Sequence, residues 1–318
     1  MHTKRITYID AMRGLTMVLV VYSHVCSFCL GDRSAGFNDV LFLFRLPCFF
    51  FISGWLFYKA DRVWTMPTIR QVVRQKFMVQ IVPTFIFLVL LVMLHDGQPP
   101  SVVLTRLGAT KGGYWFTFAL FEFFIIYILS VLPFHRRPND GAQFVLALTV
   151  SVAAFYYDAY YNRLQSLCQP SPTPSVLPCL SSAIFHTLGF LSFMTWRYYL
   201  FFFIGTWARR HFHTFIAWTD KPTVIAAVCC AFGTAALVPH TDSVACEYLL
   251  FALGGVSGLT LVFTLFRRLS PLISHSSSIV FLGRRTLDVY LLHYFFLFYL
   301  CLILIVLLFH NLLQFALI

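Results

Sequence analysis

The sequence predicts an all-α fold: a polytopic transmembrane helix bundle of nine or ten spans with its N-terminus in the cytoplasm. Three observations carry this expectation. First, 59% of the 318 residues are hydrophobic, 11% are charged and the mean hydropathy is +0.78, whereas a soluble domain carries about 25% charged residues. Second, the apolar residues come in continuous runs. Most are long enough to cross a ~30 Å hydrocarbon core as a helix rising about 1.5 Å per residue, and they lack the alternation of barrel strands. Third, the basic residues between the runs are asymmetric. Of the 23 Lys and Arg, sixteen fall on the side that holds Lys4 and Arg5, five on the other side, and Arg13 and Arg45 within spans. By the positive-inside rule the richer side is cytoplasmic.

In chain order the predicted spans are 8–30, 38–58, 77–95, 114–133, 143–161, 197–208, 222–239, 246–266 and 286–310. The sixth, RYYLFFFIGTWA, is short and is expected to extend back into 183–194 or to pair with a re-entrant piece. A tenth segment can begin beyond residue 310. The chain reads as one integral membrane domain. The first apolar segment is too long, and too polar on one face, for the h-region of a cleavable signal peptide.

The net charge of +11 does not point to nucleic acid, because its basic residues collect in short loops where they set topology. Of the nine cysteines, Cys26, Cys29, Cys48, Cys229, Cys230 and Cys301 sit in apolar spans and read as small hydrophobes. Cys26 and Cys29 lie one turn apart without a second ligand pair, so no metal site is expected. Cys168 and Cys179 bracket a Pro- and Ser-rich loop, where a disulfide is plausible if the loop lies outside the cytoplasm.

The first span, YIDAMRGLTMVLVVYSHVCSFCL, holds the groups that composition does not explain. Asp10, Arg13 and His24 all lie within it. Eleven residues at about 100° each return Arg13 and His24 to nearly one face, about 16 Å apart along the axis. Asp10, three residues before Arg13, is placed to pair with it. Each charge costs roughly 2.5–3.5 kcal/mol in lipid on insertion scales, so the stripe should face protein or trapped water.

FRLPCFFFISGWLF, residues 44–57, carries Pro47 and Gly54, which can break or kink the helix, and Ser53-Gly54 as a point of close helix approach. Its phenylalanines read as bulk. Arg45 needs a partner at that depth, either a substrate or an acid such as Asp39. TIRQVVRQKFMVQIVP, residues 68–83, opens the third span with Arg70 and Arg74 on one face and Lys76 nearby. Such a set suits an anionic phosphate as well as it suits plain membrane anchoring.

Trp115 belongs to an interfacial aromatic group, and Glu122 is buried in the same span, pairing with an arginine or lining a polar cavity. Arg197 stands at the outer edge, as a snorkelling anchor or a contact for an extracytoplasmic ligand. In LGRRTLDVYLLHYFF, residues 282–296, Asp288 and His293 point about 140° apart and need different partners. His293 can serve as a hydrogen-bonding packer between helices.

Taken in order, IDAMRGLTMVLVVYSH with its Arg-x10-His pattern (Arg13, His24), FRLPCFFFISGWLF, RQVVRQKF, YWFTFALF, RYYLFFFIG and LGRRTLDVYLLHYFF resemble the acyltransferase-3 family of integral membrane acyltransferases over essentially the whole chain. The resemblance implies transfer of an acyl group, commonly acetyl, from cytoplasmic acyl-CoA to a hydroxyl of an extracytoplasmic acceptor. That acceptor would be a surface or cell-wall carbohydrate, a glycolipid or a small metabolite, and the setting a bacterial cytoplasmic membrane. It implies that His24 and Arg13 form the central catalytic pair, and Asp10, on the same stripe, is counted with them as the residue that would organise the polar channel. It also suggests that Arg70 and Arg74, with Lys76, meet the acyl-CoA phosphates. Arg45, Trp115, Glu122, Arg197 and His293 are then the candidates for substrate contact, and no metal is called for.

Two departures stand out. Val25, Cys26 and Ser27 follow His24 where some relatives carry an acid, so any carboxylate partner must come from another helix. No esterase-like domain follows the last predicted span, so an acyl relay would use another protein or none. Two chemical routes are open: His24 as general base for direct transfer, or a transiently acylated His24. The competing class is a transporter or flippase using the same polar stripe, against which the sequence shows no internal repeat and no matched broken helices.

Overall fold

The computed structural model describes residues 6–29, 36–109, 113–134, 137–167, 192–239, 241–274 and 277–297. Within these residues the secondary structure is entirely helical. The main helices are α1 (Thr7–Cys29), α2 (Gly36–Phe57), α3 (Met66–Leu94), α4 (Val102–Ala109), α5 (Trp115–Val131), α6 (Asp140–Leu167), α7 (Tyr199–Arg210), α8 (Phe212–Thr219), α9 (Pro222–Leu237), α10 (Val244–Arg268), α11 (Ser278–Arg284) and α12 (Thr286–Leu297). A 3-10 helix, Phe193–Tyr198, leads into α7.

Five described helices are long and apolar enough to cross a membrane: Thr7–Phe28, Phe37–Phe57, Met66–Leu94, Asp140–Tyr161 and Val244–Arg268. A sixth is added if the bent pair α8 and α9 counts as one span, and α5 and α12 are shorter apolar helices. The chain is therefore a multi-pass membrane protein, all-helical among the described residues. The Cys168–Cys179 disulfide, the extension of the sixth span over 183–191, and residues 298–318 lie outside the described residues, as do Lys4, Arg5, Arg33, Lys111 and Arg136 and the side chains of Arg106 and Arg163.

The chain forms two compact units. The first comprises residues 1–49, 225–236 and 254–318, the second residues 50–224 and 237–253.

In the first unit α1 crosses α11 at two glycines. A Cβ on Gly14 would stand 2.0 Å from the Ile279 carbonyl oxygen, and one on Gly283 would stand 1.8 Å from that of Asp10. Only backbone that close lets the two helices touch. Gly283 is thus a crossing point. A second small-residue contact brings Gly258 of α10 against Phe44 of α2 and Phe232 of α9.

The second unit is built on aromatic rings. Phe50 and Phe51 are fully buried; Phe50 packs on Phe116, Phe123 and Tyr198, and Phe57 on Phe124 and Phe202. The close approach expected at Ser53-Gly54 is present: a Cβ on Gly54 would lie 2.0 Å from the Phe202 carbonyl oxygen, and one on Gly205 the same distance from that of Phe51. Pro47 sits inside α2, which continues from Gly36 to Phe57.

Thr65 caps α3, its hydroxyl accepting from the Thr68 N–H, and Pro67 sits in the first turn where no N–H is needed. Further along, Pro83 cannot donate to the carbonyl of Val79, and the preceding turn opens into a π segment, Phe77–Ile81. At the start of α6, Asp140 holds Arg210 at 2.9 Å and His211 at 2.8 Å, and Arg210 also donates to Gln143 and the Pro138 carbonyl. That polar knot ties the end of α7 to α6 and was not visible in the sequence.

Candidate active site

In the first unit the polar groups of α1 find partners on helices far away in sequence. His24 Nδ1 lies 2.8 Å from His293 Nε2 of α12. The two imidazole planes lie within 12° of each other, and Tyr294 packs against both rings. His293 is 4% exposed, and its Nδ1 stands 2.5 Å from the Tyr290 carbonyl oxygen one turn back. Among the described residues the hydrogen-bonding partner of His24 is thus a second imidazole on another helix.

Asp10, 2% exposed, pairs with Arg284 of α11 at 3.5 Å beside the Gly14–Gly283 crossing. Arg13 is half-buried on the same helix, about 16 Å along the axis from His24. Arg45 is buried and donates to Asn38 at 2.8 Å with its guanidinium over Phe42, while Asp39, the acid proposed from sequence, is exposed. Asp288 takes the separate partner expected of it, Arg285 at 3.3 Å, on an exposed surface.

The second unit gathers the other candidates into two groups. Arg70 and Arg74 are exposed and line one open groove of about 870 Å³ with Met66, Pro67, Gln71, Gln75 and Met78. Lys76 is turned elsewhere: its ammonium lies 4.4 Å from the centre of the Phe124 ring and 5.8 Å from that of Phe57.

The other group contains Trp115, Glu122 and Arg197. The Trp196 indole N–H donates to Glu122 at 2.7 Å, and Arg197 forms an ion pair with Asp158 of α6 while covering the Tyr198 ring. Trp115 stacks on Tyr198 at 26°. The Arg197 carbonyl accepts from Ser151, whose hydroxyl in turn accepts from Tyr248. Arg197 is therefore held by an acid rather than left to snorkel. Trp196 and Asp158 escaped the sequence reading, because their partners lie 74 and 39 residues away.

The family model Acyl_transf_3, described as an acyltransferase domain, matches residues 6–318. The chain belongs to the acyltransferase-3 family. No match was found among curated proteins or among solved structures. As a member of the acyltransferase-3 family it is a membrane acyltransferase. The match begins before α1 and includes His24 and His293, so both imidazoles belong to the acyltransferase domain itself.

Proposed function

We propose that this acyltransferase moves an acyl group, acetyl in the simplest case, from cytoplasmic acyl-CoA to a hydroxyl of an extracytoplasmic carbohydrate acceptor. The observation that carries the reading is the His24–His293 pair. A neutral imidazole backed by a hydrogen-bonding partner, on a helix otherwise fit to span a membrane, is a ready general base. Such a base is typically worth about 10²–10⁴-fold in rate.

In this reading His24 takes the proton of the acceptor hydroxyl as the hydroxyl attacks the thioester. Arg45, buried on α2, stabilises the developing oxyanion. Arg13 and Asp10, the latter held by Arg284, keep the inner part of α1 polar. Arg70 and Arg74 bind donor phosphates, since guanidinium groups four residues apart on an exposed helical face match phosphate bidentately. Lys76, over the Phe124 ring, serves packing first. Trp115 with Tyr198, Glu122 with Trp196 and Arg197 with Asp158 combine aromatic faces with hydrogen-bonding groups, the equipment for contacting a sugar. The orientation proposed is N-terminus inside with nine or ten spans, a reading supported by the sixteen-to-five distribution of Lys and Arg.

The test is CoA release from radiolabelled acetyl-CoA by purified protein in nanodiscs, for the wild type and His24→Ala, with a panel of sugar acceptors. Release that depends on His24 is expected. A His24→Ala protein that folds and releases CoA at the wild-type rate would sink the scheme.

A further inference from the structure

The hydrogen bonds around His293 fix more than its position. A carbonyl oxygen only accepts, so the His293 Nδ1 that stands 2.5 Å from the Tyr290 carbonyl must carry a proton. His293 is 4% exposed on an apolar helix, where a second proton would create a buried cation with no carboxylate recorded against the ring. Its Nε2 is therefore a lone pair and can only accept. The atom facing it at 2.8 Å is His24 Nδ1, which must then be the N–H donor. A neutral imidazole carries one proton, so the lone pair of His24 is left on Nε2. Among the described residues nothing hydrogen-bonds that nitrogen.

We propose that His293 is a positioning residue that fixes the tautomer of His24, keeping its proton on Nδ1 and presenting Nε2 as the basic nitrogen to the acceptor hydroxyl. This rests on the reading of His24 as the general base. In the step itself the acceptor oxygen bonds to the thioester carbonyl carbon and the C–S bond breaks. The hydroxyl proton passes to His24 Nε2 and from there to the departing thiolate, giving free CoA thiol and the ester. His293 does not relay that proton, because its own far nitrogen faces a carbonyl that cannot take one. It acts as the Asp of a Ser-His-Asp triad acts in orienting its histidine, but without charge.

The experiment combines nitrogen NMR with kinetics on the full-length protein in nanodiscs, labelled with ¹⁵N-histidine. The His24 signals are assigned by their loss in His24→Ala. The wild-type spectrum should show His24 protonated at Nδ1. His293→Phe keeps the ring contacts to Tyr290 and Tyr294 but removes the acceptor. It should release His24 to a mixture of tautomers and lower kcat by about 10- to 100-fold, the scale typical when a partner that orients an imidazole is lost, with KM for acetyl-CoA unchanged. His293→Gln offers an amide oxygen near the lost Nε2 and should recover most of both signals.

A wild-type His24 protonated at Nε2 would overturn the proposal while leaving the catalytic role of His24 standing, and needs no variant to be seen. So would a His293→Phe protein with unchanged tautomer and kcat. Full CoA release by His24→Ala would instead overturn the general-base reading, with the nitrogen shifts still reporting the tautomer.

Discussion

Gly283→Ala makes the sharpest test of how this fold positions its chemistry. The added Cβ would sit 1.8 Å from the Asp10 carbonyl oxygen, against the 3.4 Å at which ordinary contact begins, a shortfall of about 1.6 Å. The obstacle is helix backbone, which cannot swing aside as a side chain would. α11 must therefore move off α1, at a cost of about 1–3 kcal/mol or more for overpacking. The displacement strikes where Asp10 meets Arg284, two residues before α12 begins and carries His293 towards His24. Misplacement of about 1 Å can cost 10²-fold in rate, so His24-dependent CoA release should fall at least that far, with a lowered Tm in detergent. Gly233→Ala is the matched control in the same unit, since a Cβ there meets nothing within 4 Å. It should be neutral, or more stable by up to about 1 kcal/mol from helix propensity. A Gly283→Ala protein with the activity and Tm of the wild type would refute the claim that backbone contact at this crossing sets the site.

The remaining predictions concern substrates. Arg70→Ala with Arg74→Ala should raise KM for acetyl-CoA by tenfold or more, on the scale of about 1.5–3 kcal/mol for a hydrogen bond to a charged group, with kcat little changed in steady-state assays. An unchanged KM would return both residues to topology signals. Lys76→Met, which keeps a chain to cover Phe124, should leave that KM alone, as measured in the same assay. Glu122→Gln and Trp196→Phe should each raise the acceptor KM without altering acetyl-CoA hydrolysis in the absence of acceptor. Equal loss in both reactions would make this pair structural.

Much of the architecture was legible because lipid imposes one-dimensional rules. A backbone that must satisfy its own hydrogen bonds in hydrocarbon becomes helix, so apolar runs marked α1, α2, α5, α9 and α10 to within a few residues. Gly54 was legible as a crossing point because a small residue in an apolar span has few other uses. The broken entry to α7 and the separate helix α8 were less visible, since their apolar character does not reveal where a helix turns. For Arg45 the sequence weighed a substrate against an acid such as Asp39; that Asn38 turns inward to it while Asp39 is exposed is seen only in the structure.

By itself the sequence determined the class of the protein, the helices that hold its ionisable groups, and the motifs that tie it to the acyltransferase-3 family. Local composition and spacing carry that information. The pairings belong to the tertiary structure alone. His24 and His293 stand 269 residues apart, and Trp196 and Glu122 stand 74 apart. Hydrogen bonding is a short-range, directional interaction, and nothing in the spacing of two distant residues states whether the helices between them will bring their side chains within 3 Å. Backbone contact at Gly14 and Gly283 does that for α1 and α11. With α12 following α11 in the chain, the fold converts an isolated histidine in a membrane span into one half of an ordered imidazole pair.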